Sequence, residues 1–376
     1  MIKVLHIMSS IGTAGGVQGL IWNYYKHIDE EKVCFDFAVF NGEMNGFEKN
    51  FQKKGSKIYV VTPKRKSIRK HYTELKNAIK SDNYDIIHVH QDYLGYLTLF
   101  IAWKCGIKNR IIHTHKANLK ETAFQKIKRL VLTKLTCLFA TDYFACGTDS
   151  AKWTFGEKIY NRAYILNNAI EIMQYTYNSD IRNDVRTTLG LDDKIVIGNI
   201  ARFTYQKNHE LLIEVFESLY KKNTGYRLML VGDGENLEKI QNMIKEKNLQ
   251  NAVLMLGSRN DCNRLFQAMD VFVLTSRFEG LPITLVEAQC SGLSCVAAHN
   301  ITREVNVTGK VSYIENDDDL DEWIDKIDSL KNEKHFTDIR ALSESGFDIL
   351  AEANKLTEQY TEIMLKKKQL VKGDHQ

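Results

Sequence analysis

The stretch KIVIGNIARFTYQKNHELLIEVF, residues 194–216, sets the reading of the whole chain. Its first seven residues are mostly apolar and β-branched, which predicts a buried strand over 194–200. From Asn208 onward the apolar positions recur at helical spacing, which predicts a helix. Between the two, a short loop carries Arg202 and Lys207 just beyond the strand's carboxyl end. The same alternation runs outward in both directions. Candidate strands at 2–8, 33–40, 57–62, 84–90, 110–115, 142–146 and 163–166 precede it, and others at 227–231, 252–256, 271–275 and 294–297 follow. Helical patterns separate them, among them 17–28, 68–81, 123–138 and those opening near Glu235, Asn260, Thr284 and Asp318. Strands bounded on both sides by helices imply an α/β chain of Rossmann-like, doubly wound parallel sheets covered on both faces.

A length of 376 residues has room for two such domains. Polar and aromatic residues interrupt the pattern near 168–183. The expected division is therefore an N-terminal domain over 1–170 and a C-terminal domain over 171–349, with a last helix of about 350–376 returning to the first. The seven cysteines have no C-x-x-C spacing and sit mostly in apolar runs, so they read as small hydrophobes in a reducing compartment. The first residues lack a cleavage site. The longest apolar stretch, 93–107, is broken by Lys104 and too short to span a bilayer. A cytoplasmic protein is expected, with any membrane contact peripheral. Residues 1–168 hold 26 Lys and Arg against 14 Asp and Glu, while the remainder is net acidic. Only the basic half is suited to an anionic surface.

The motif Glu279-Gly280-Leu281-Pro282-Ile283-Thr284-Leu285-Val286-Glu287 follows the strand at 271–275. Glu279 falls in the loop at the strand's carboxyl edge, and Glu287 about one turn inside the next helix. Between them lie the free N–H groups of a helix N-terminus, which favour an anion such as a diphosphate. A carboxylate on either side can accept hydrogen bonds from hydroxyls, a sugar on one side and a ribose on the other. The plain alternative is a solvated Glu279 and a Glu287 that only complements the helix dipole. Arg202 and Lys207 lie at the same edge of the same sheet, where open parallel sheets bind ligands. Two fixed cations there can stabilise a diphosphate leaving group without a metal.

Together GNIARFTYQKNHELLIEVF, VGDGE at 231–235, LGSRND at 256–261 and EGLPITLVEA at 279–288 resemble the family-four, GT-B-fold retaining glycosyltransferases, and within them the bacterial capsular and exopolysaccharide enzymes. The resemblance spans nearly the full length and implies two Rossmann-like domains facing across a cleft. It implies that Glu279 contacts the transferred sugar and Glu287 the ribose, that Arg202 and Lys207 hold the diphosphate, and that the Thr284 N–H caps it. Arg259 would lie beside the nucleobase. The donor implied is a UDP-linked sugar, the acceptor a saccharide carried on a polyprenyl diphosphate, and no cofactor or metal is expected. Gly232 and Gly234 are better explained by a tight turn than by ligand contact.

In the first half, Gly12-Thr13-Ala14-Gly15-Gly16 opens a helix after the first strand but matches neither a dinucleotide fingerprint nor a P-loop. The resemblance places Gly15 and Gly16 opposite the donor phosphates; a simple left-handed turn explains them equally well. His113 and His115 share one strand face, with His115 at the mouth. The resemblance assigns His115 to the donor sugar and its protons. His88 and His90 repeat the pattern one strand away, without the acidic or cysteine partner a metal site would add. The D-x-D within Asp317-Asp318-Asp319 reads as a helix N-terminus. Cations at Lys64, Arg65, Lys66, Arg69, Lys70, Lys116, Lys120, Lys126, Lys128, Arg129 and Lys134 surround apolar positions Phe124, Ile127, Leu130, Val131 and Leu135. This suits an anionic membrane surface or a solvated helix face. It does not suit nucleic acid, because aromatics are not interleaved with the charges. Two alternatives remain on sequence grounds: a UDP-sugar 2-epimerase of the same architecture, and a non-catalytic glycosyltransferase-like partner subunit.

Overall fold

A computed structural model describes residues 1–12, 16–41, 47–115 and 121–373, with side chains to residue 366. The chain divides into two compact units, Met1–Ala169 with Asp348–Gln376, and Ile170–Phe347.

The first unit is built on seven parallel strands: β1 Ile2–Met8, β2 Val33–Val39, β3 Ile58–Val60, β4 Ile86–Val89, β5 Asn109–Thr114, β6 Asp142–Ala145 and β7 Tyr164–Ile165. Their order is β3-β2-β1-β4-β5-β6-β7. β1 pairs with β2 from Ile2 opposite Val33 to Met8 opposite Val39, and with β4 through His6 opposite His88. Strand alternation divides the apolar residues between two cores. Val4, Phe35, Phe37, Ile86, Ile111 and Phe144 pack on one face, and Leu5, Ile7, Ala38, Ile87, Val89 and Ile112 on the other. Both faces are therefore dry, which is why these strands are nearly all apolar. The helices needed below are α1 Gly16–His27, α2 Tyr96–Lys104, α3 Ala123–Phe139 and α4 Thr148–Phe155.

The second unit has six parallel strands: β8 Ile195–Ile200, β9 Tyr226–Val231, β10 Val253–Met255, β11 Val271–Leu274, β12 Ser294–Ala297 and β13 Val311–Tyr313. Their order is β10-β9-β8-β11-β12-β13. β13 escaped the sequence reading because three residues are too few to carry a period. α5 His209–Lys222 follows β8, and α6 Ile283–Cys290 follows β11.

The last helix, α7 Ile349–Gly373, belongs to the first unit. Ile349, Ala353, Leu356, Tyr360 and Ile363 are all buried, spaced four and three apart so that they form one stripe. That stripe completes the core against Val4, Phe35 and Phe144. No helix among the described residues is long and apolar enough to cross a membrane.

Candidate functional site

In an open parallel sheet a crevice forms where the strand order reverses, outside the carboxyl ends. In the second unit that point lies between β8 and β11. The loops leaving these two strands are tied together. The Arg277 N–H donates to Gln206 O at 2.7 Å. Gln206 Nε2 donates to Phe278 O at 2.9 Å and to Glu279 Oε2 at 3.1 Å. The Thr275 hydroxyl reaches back to Asn208 O at 3.0 Å. The Lys207 ammonium forms an ion pair with Glu279 Oε1. Glu279 and Lys207 thus meet, although they lie 72 residues apart. Asn208, next in the chain, holds φ +51°. This is a left-handed conformation that asparagine tolerates better than most residues.

Arg202 lies in the same loop and is exposed, with no side-chain hydrogen bond or ion pair among the described residues. Its backbone position is fixed from behind. The Phe203 N–H donates to Asp233 O at 2.9 Å, and the Asn236 N–H donates to Phe203 O at 2.8 Å. Gly232 and Gly234 allow this contact. A Cβ on Gly232 would stand 2.1 Å from Ala201 O, and one on Gly234 2.4 Å from Phe203 O. The glycines serve a close approach of two backbones, which in turn shapes the loop that carries Arg202.

Pro282 occupies the N-cap of α6 with φ −74° and offers no side-chain cap. The Leu285 N–H turns back to Pro282 O at 3.1 Å. The N–H groups of Ile283 and Thr284 have no acceptor among the described residues, so a partial positive charge is left at this end of the helix. Further along α6, Glu287 accepts a hydrogen bond from the Tyr175 hydroxyl at 2.8 Å. Burial raises its carboxyl to about 7, the Tyr175 hydrogen bond opposing that rise. Burial, with Glu287 beside it, also raises the Tyr175 hydroxyl. Tyr175 and Gln206 were not found from sequence; a lone aromatic in a seam and a glutamine in a loop have no periodic or motif signal.

Arg259 is linked to this group through Cys262, whose thiol lies 3.4 Å from Arg259 O and interacts with the Glu287 charge. Its guanidinium is exposed and binds Asp261 through two hydrogen bonds, of 2.8 and 2.7 Å. The acidic run is used structurally. Asp319 caps the helix Leu320–Leu330 by accepting from the N–H groups of Asp321 and Glu322, and Asp317 accepts from the His299 N–H at 3.1 Å.

In the first unit the strand order reverses between β1 and β4. Gly16 opens α1 there, with no positive φ, and a Cβ on it would meet nothing within 4 Å. Gly15 lies outside the described residues, as do Lys116 and Lys120. His115 follows β5 and is half-buried, whereas His113 is fully buried. Asp92, at φ +49°, accepts from the His115 N–H at 2.8 Å and from the Thr114 hydroxyl at 3.2 Å. A fifth histidine, His6 on β1, joins the four seen in the sequence. His6 Nδ1 lies 2.9 Å from His90 Nε2, and His90 Nδ1 lies 3.0 Å from His115 Nε2. Beside them, Tyr360 Oη lies 2.8 Å from His88 Nδ1, and His88 Nε2 lies 3.2 Å from His113 Nδ1. Burial holds His6 down at about 3 and keeps His88, His90 and His113 well below the usual imidazole range. Two overlapping triplets, His6/His88/His90 and His90/His113/His115, bring ring nitrogens within 4.8 Å of one another. These nitrogens already pair among themselves, and no carboxylate or thiolate among the described residues joins either triplet. A divalent ion there would leave its charge buried and uncompensated.

Residues 181–345 match the family model described as "Glycosyl transferases group 1". The chain is 29% identical over 334 residues to the "Putative glycosyltransferase EpsF" of Bacillus subtilis strain 168, which covers 86% of each chain. It is 25% identical over 323 residues to the UDP-Gal:alpha-D-GlcNAc-diphosphoundecaprenol alpha-1,3-galactosyltransferase of Escherichia coli, covering 78% of this chain and 79% of that one. Among solved structures, HepE of Anabaena in complex with UDP and glucose superposes with a TM-score of 0.72 at 18% identity, over 99% of this chain and all of the other. That likeness speaks to the fold.

Proposed function

We propose that this chain, whose residues 181–345 match the group 1 glycosyl transferases and which is similar over most of its length to glycosyltransferases of polysaccharide biosynthesis, transfers a hexose-type sugar with retention from a UDP-sugar to a lipid-linked saccharide, without a metal. The observation that carries this reading is the junction of β8 and β11. There Arg202, exposed and without an ion pair among the described residues, and the Lys207–Glu279 pair stand at the switch point of a sheet whose next helix, α6, has no side-chain cap among them. This combination suits a diphosphate flanked by hydroxyl-bearing rings.

In the proposed step the bond from sugar C1 to the diphosphate oxygen breaks, and its electron pair leaves with the diphosphate. A bond from C1 to the acceptor oxygen forms on the same face, and the acceptor proton passes to the departing phosphate oxygen. Arg202 and the free N–H groups of Ile283 and Thr284 stabilise the charge that grows on the leaving group. Lys207 is held in place by Glu279, so it presents a fixed charge. Glu279 accepts from sugar hydroxyls, and Glu287, set by Tyr175, accepts from the ribose. Arg259 is assigned to the nucleobase side of the donor. Gly15 and Gly16 are assigned to the donor phosphates and His115 to the donor sugar on the sequence resemblance alone; a Cβ on Gly16 would meet nothing within 4 Å. The lipid-linked acceptor and the UDP donor are supported by what the E. coli relative's name states of that enzyme.

The test is a screen of nucleotide-sugars with a polyprenyl-diphosphate saccharide acceptor, in EDTA, with product mass and anomeric configuration read by mass spectrometry and NMR. A product with the donor's anomeric configuration is expected, along with loss of turnover in Arg202→Ala and Glu279→Ala. Conversion of a UDP-sugar to an epimer without acceptor would overturn the reading, as would unchanged turnover in both variants.

A further inference from the structure

α3 is built inside out. Its buried residues are polar: Arg129, Thr133 and Thr136. Arg129 Nε binds Glu121 at 2.9 Å, and its Nη1 donates to Trp153 O at 2.5 Å. The Thr133 hydroxyl donates to Thr154 O, and the Thr136 hydroxyl to Tyr93 O at 2.8 Å. The opposite face carries Phe124, Ile127, Val131, Leu135 and Leu138 at helical spacing, with Leu130 alongside. All six are between 41% and 76% exposed. Ordinary surface helices turn the apolar stripe inward, and a large exposed apolar patch on a folded chain marks an interaction site. The exposed amines of Lys126, Lys128 and Lys134 stand on the same helix. The neighbouring segment adds exposed Lys64, Arg65, Lys66, Arg69 and Lys70. It adjoins the helix: the Lys64 ammonium, partly covered where it lies 5.3 Å over the Tyr96 ring of α2, has its pKa lowered by that burial first and by the charge of Lys128 second. Trp103 of α2 is half-exposed at the far end, 5.8 Å from the Phe139 ring.

We propose that this face of α3 is a docking surface for an anionic lipid leaflet. The apolar stripe enters the acyl boundary, and the cations at Lys126, Lys128, Lys134 and 64–70 meet the headgroups. Charge selects this occupant, because a second copy would bring an identical cationic rim against the first, whereas a plane of anionic headgroups complements it.

The full chain is sedimented with vesicles of phosphatidylcholine alone or with added phosphatidylglycerol. Binding to the anionic vesicles is expected, with a blue shift of tryptophan emission and release at high salt. Ile127→Glu/Val131→Glu and Lys126→Glu/Lys128→Glu/Lys134→Glu should each reduce it by about tenfold or more. Equal retention by these variants would overturn the proposal. So would a dimer in vesicle-free sedimentation velocity that Val131→Glu dissolves, which would assign the face to a second copy. Vesicle binding needs no donor, so its failure is separable from failure of the transferase reading.

A different observation, the imidazole row, carries a second inference, which for its kinetic part rests on the assignment of His115 to the donor sugar. A neutral imidazole has one N–H and one lone pair, so the row His6–His90–His115 can run in two directions only. His6 Nε2 is buried without a partner. If the row ran inward, that atom would be an orphaned buried N–H; if it ran outward, only a bare lone pair. We infer that the row runs outward, His6 to His90 to His115. His6 and His90 are then positioning residues that hold His115 as the Nδ1–H tautomer. Long-range nitrogen–proton correlation spectra of the chain labelled with ¹⁵N-histidine should show Nδ1 of His115 protonated. His90→Phe should release it towards the Nε2–H form and lower kcat more than it changes KM, and His90→Asn, which retains a donor at the Nδ1 position, should restore both. Should His90→Phe fail to fold, His6→Phe breaks the same row. An Nε2–H His115 in the unmodified chain, or a tautomer that ignores these substitutions, would overturn the inference.

Discussion

At the scale of single residues, Glu287 combines two demands. Its carboxyl accepts from Tyr175, yet burial raises it to about 7, against about 4.5 for an unburied glutamate. Between those values the folded chain holds a proton that the unfolded chain releases. The resulting stability is present below about 4.5 and is lost as pH rises through about 7. Glu287→Gln keeps the acceptor and cannot ionise. It should raise stability by about 3 kcal/mol at pH 8 and leave it unchanged near pH 4.5. Thermal unfolding at both values checks this, and a gain of equal size at both would contradict it. Gly232 is constrained differently. With φ +142° and Ala201 O at 2.1 Å from a Cβ position, Gly232→Ala should destabilise the second unit by about 3 kcal/mol. It should also weaken nucleotide-sugar binding, because the loop it displaces carries Arg202. Urea midpoints and calorimetric titration read the two effects.

At the scale of elements, the inversion of α3 reverses the usual effect of substitution. Arg129 is buried between Glu121, Trp153 O and the Trp153 ring at 4.4 Å. Arg129→Ala leaves the largely covered Glu121 carboxylate without its partner and should cost about 3 kcal/mol. Phe124→Ser on the exposed face should change stability by no more than about 0.5 kcal/mol. Denaturant melts of the two variants decide this, and the opposite ranking would mean that the apolar face packs inward. The helix start is secured independently, by a capping box between Thr122 and Gln125.

At the scale of the whole molecule, buried neutral histidines set the acid limit. His6 is held at about 3, and His88, His90 and His113 are also well below the usual value, all by burial. In the second unit His209 and His335 are held at about 4. As pH falls below about 6.5 the unfolded chain binds protons at these sites and the folded chain does not, so stability falls. Each site contributes up to about 1.4 kcal/mol per pH unit. The first unit has more such sites and should show the steeper loss between pH 6.5 and 5. Calorimetric scans across that range should show a transition assigned to the first unit moving down faster than any from the second; parallel movement would count against it.

Much of this was legible in the residues. Runs such as IVIGNI and VFVL, separated by helix-period segments, demand parallel strands dry on both faces, and the two doubly wound sheets follow. Because chain order is strand, loop, helix, Arg202, Lys207, Glu279 and His115 had to fall at carboxyl edges. Other features required the packed structure. His6 looks like one histidine in an apolar strand until β1 pairs with β4 and brings it to His90. Lys207 and Glu279 are distant in sequence and meet only because β8 lies beside β11, an adjacency set by sheet order. The direction in which α3 faces is likewise nonlocal. Its sequence specifies an apolar side and a polar side, but Glu121 and the carbonyls of Trp153, Thr154 and Tyr93 decide which side is buried. Local periodicity follows from the backbone repeat of each segment alone, whereas pairing and facing depend on which partners other segments supply.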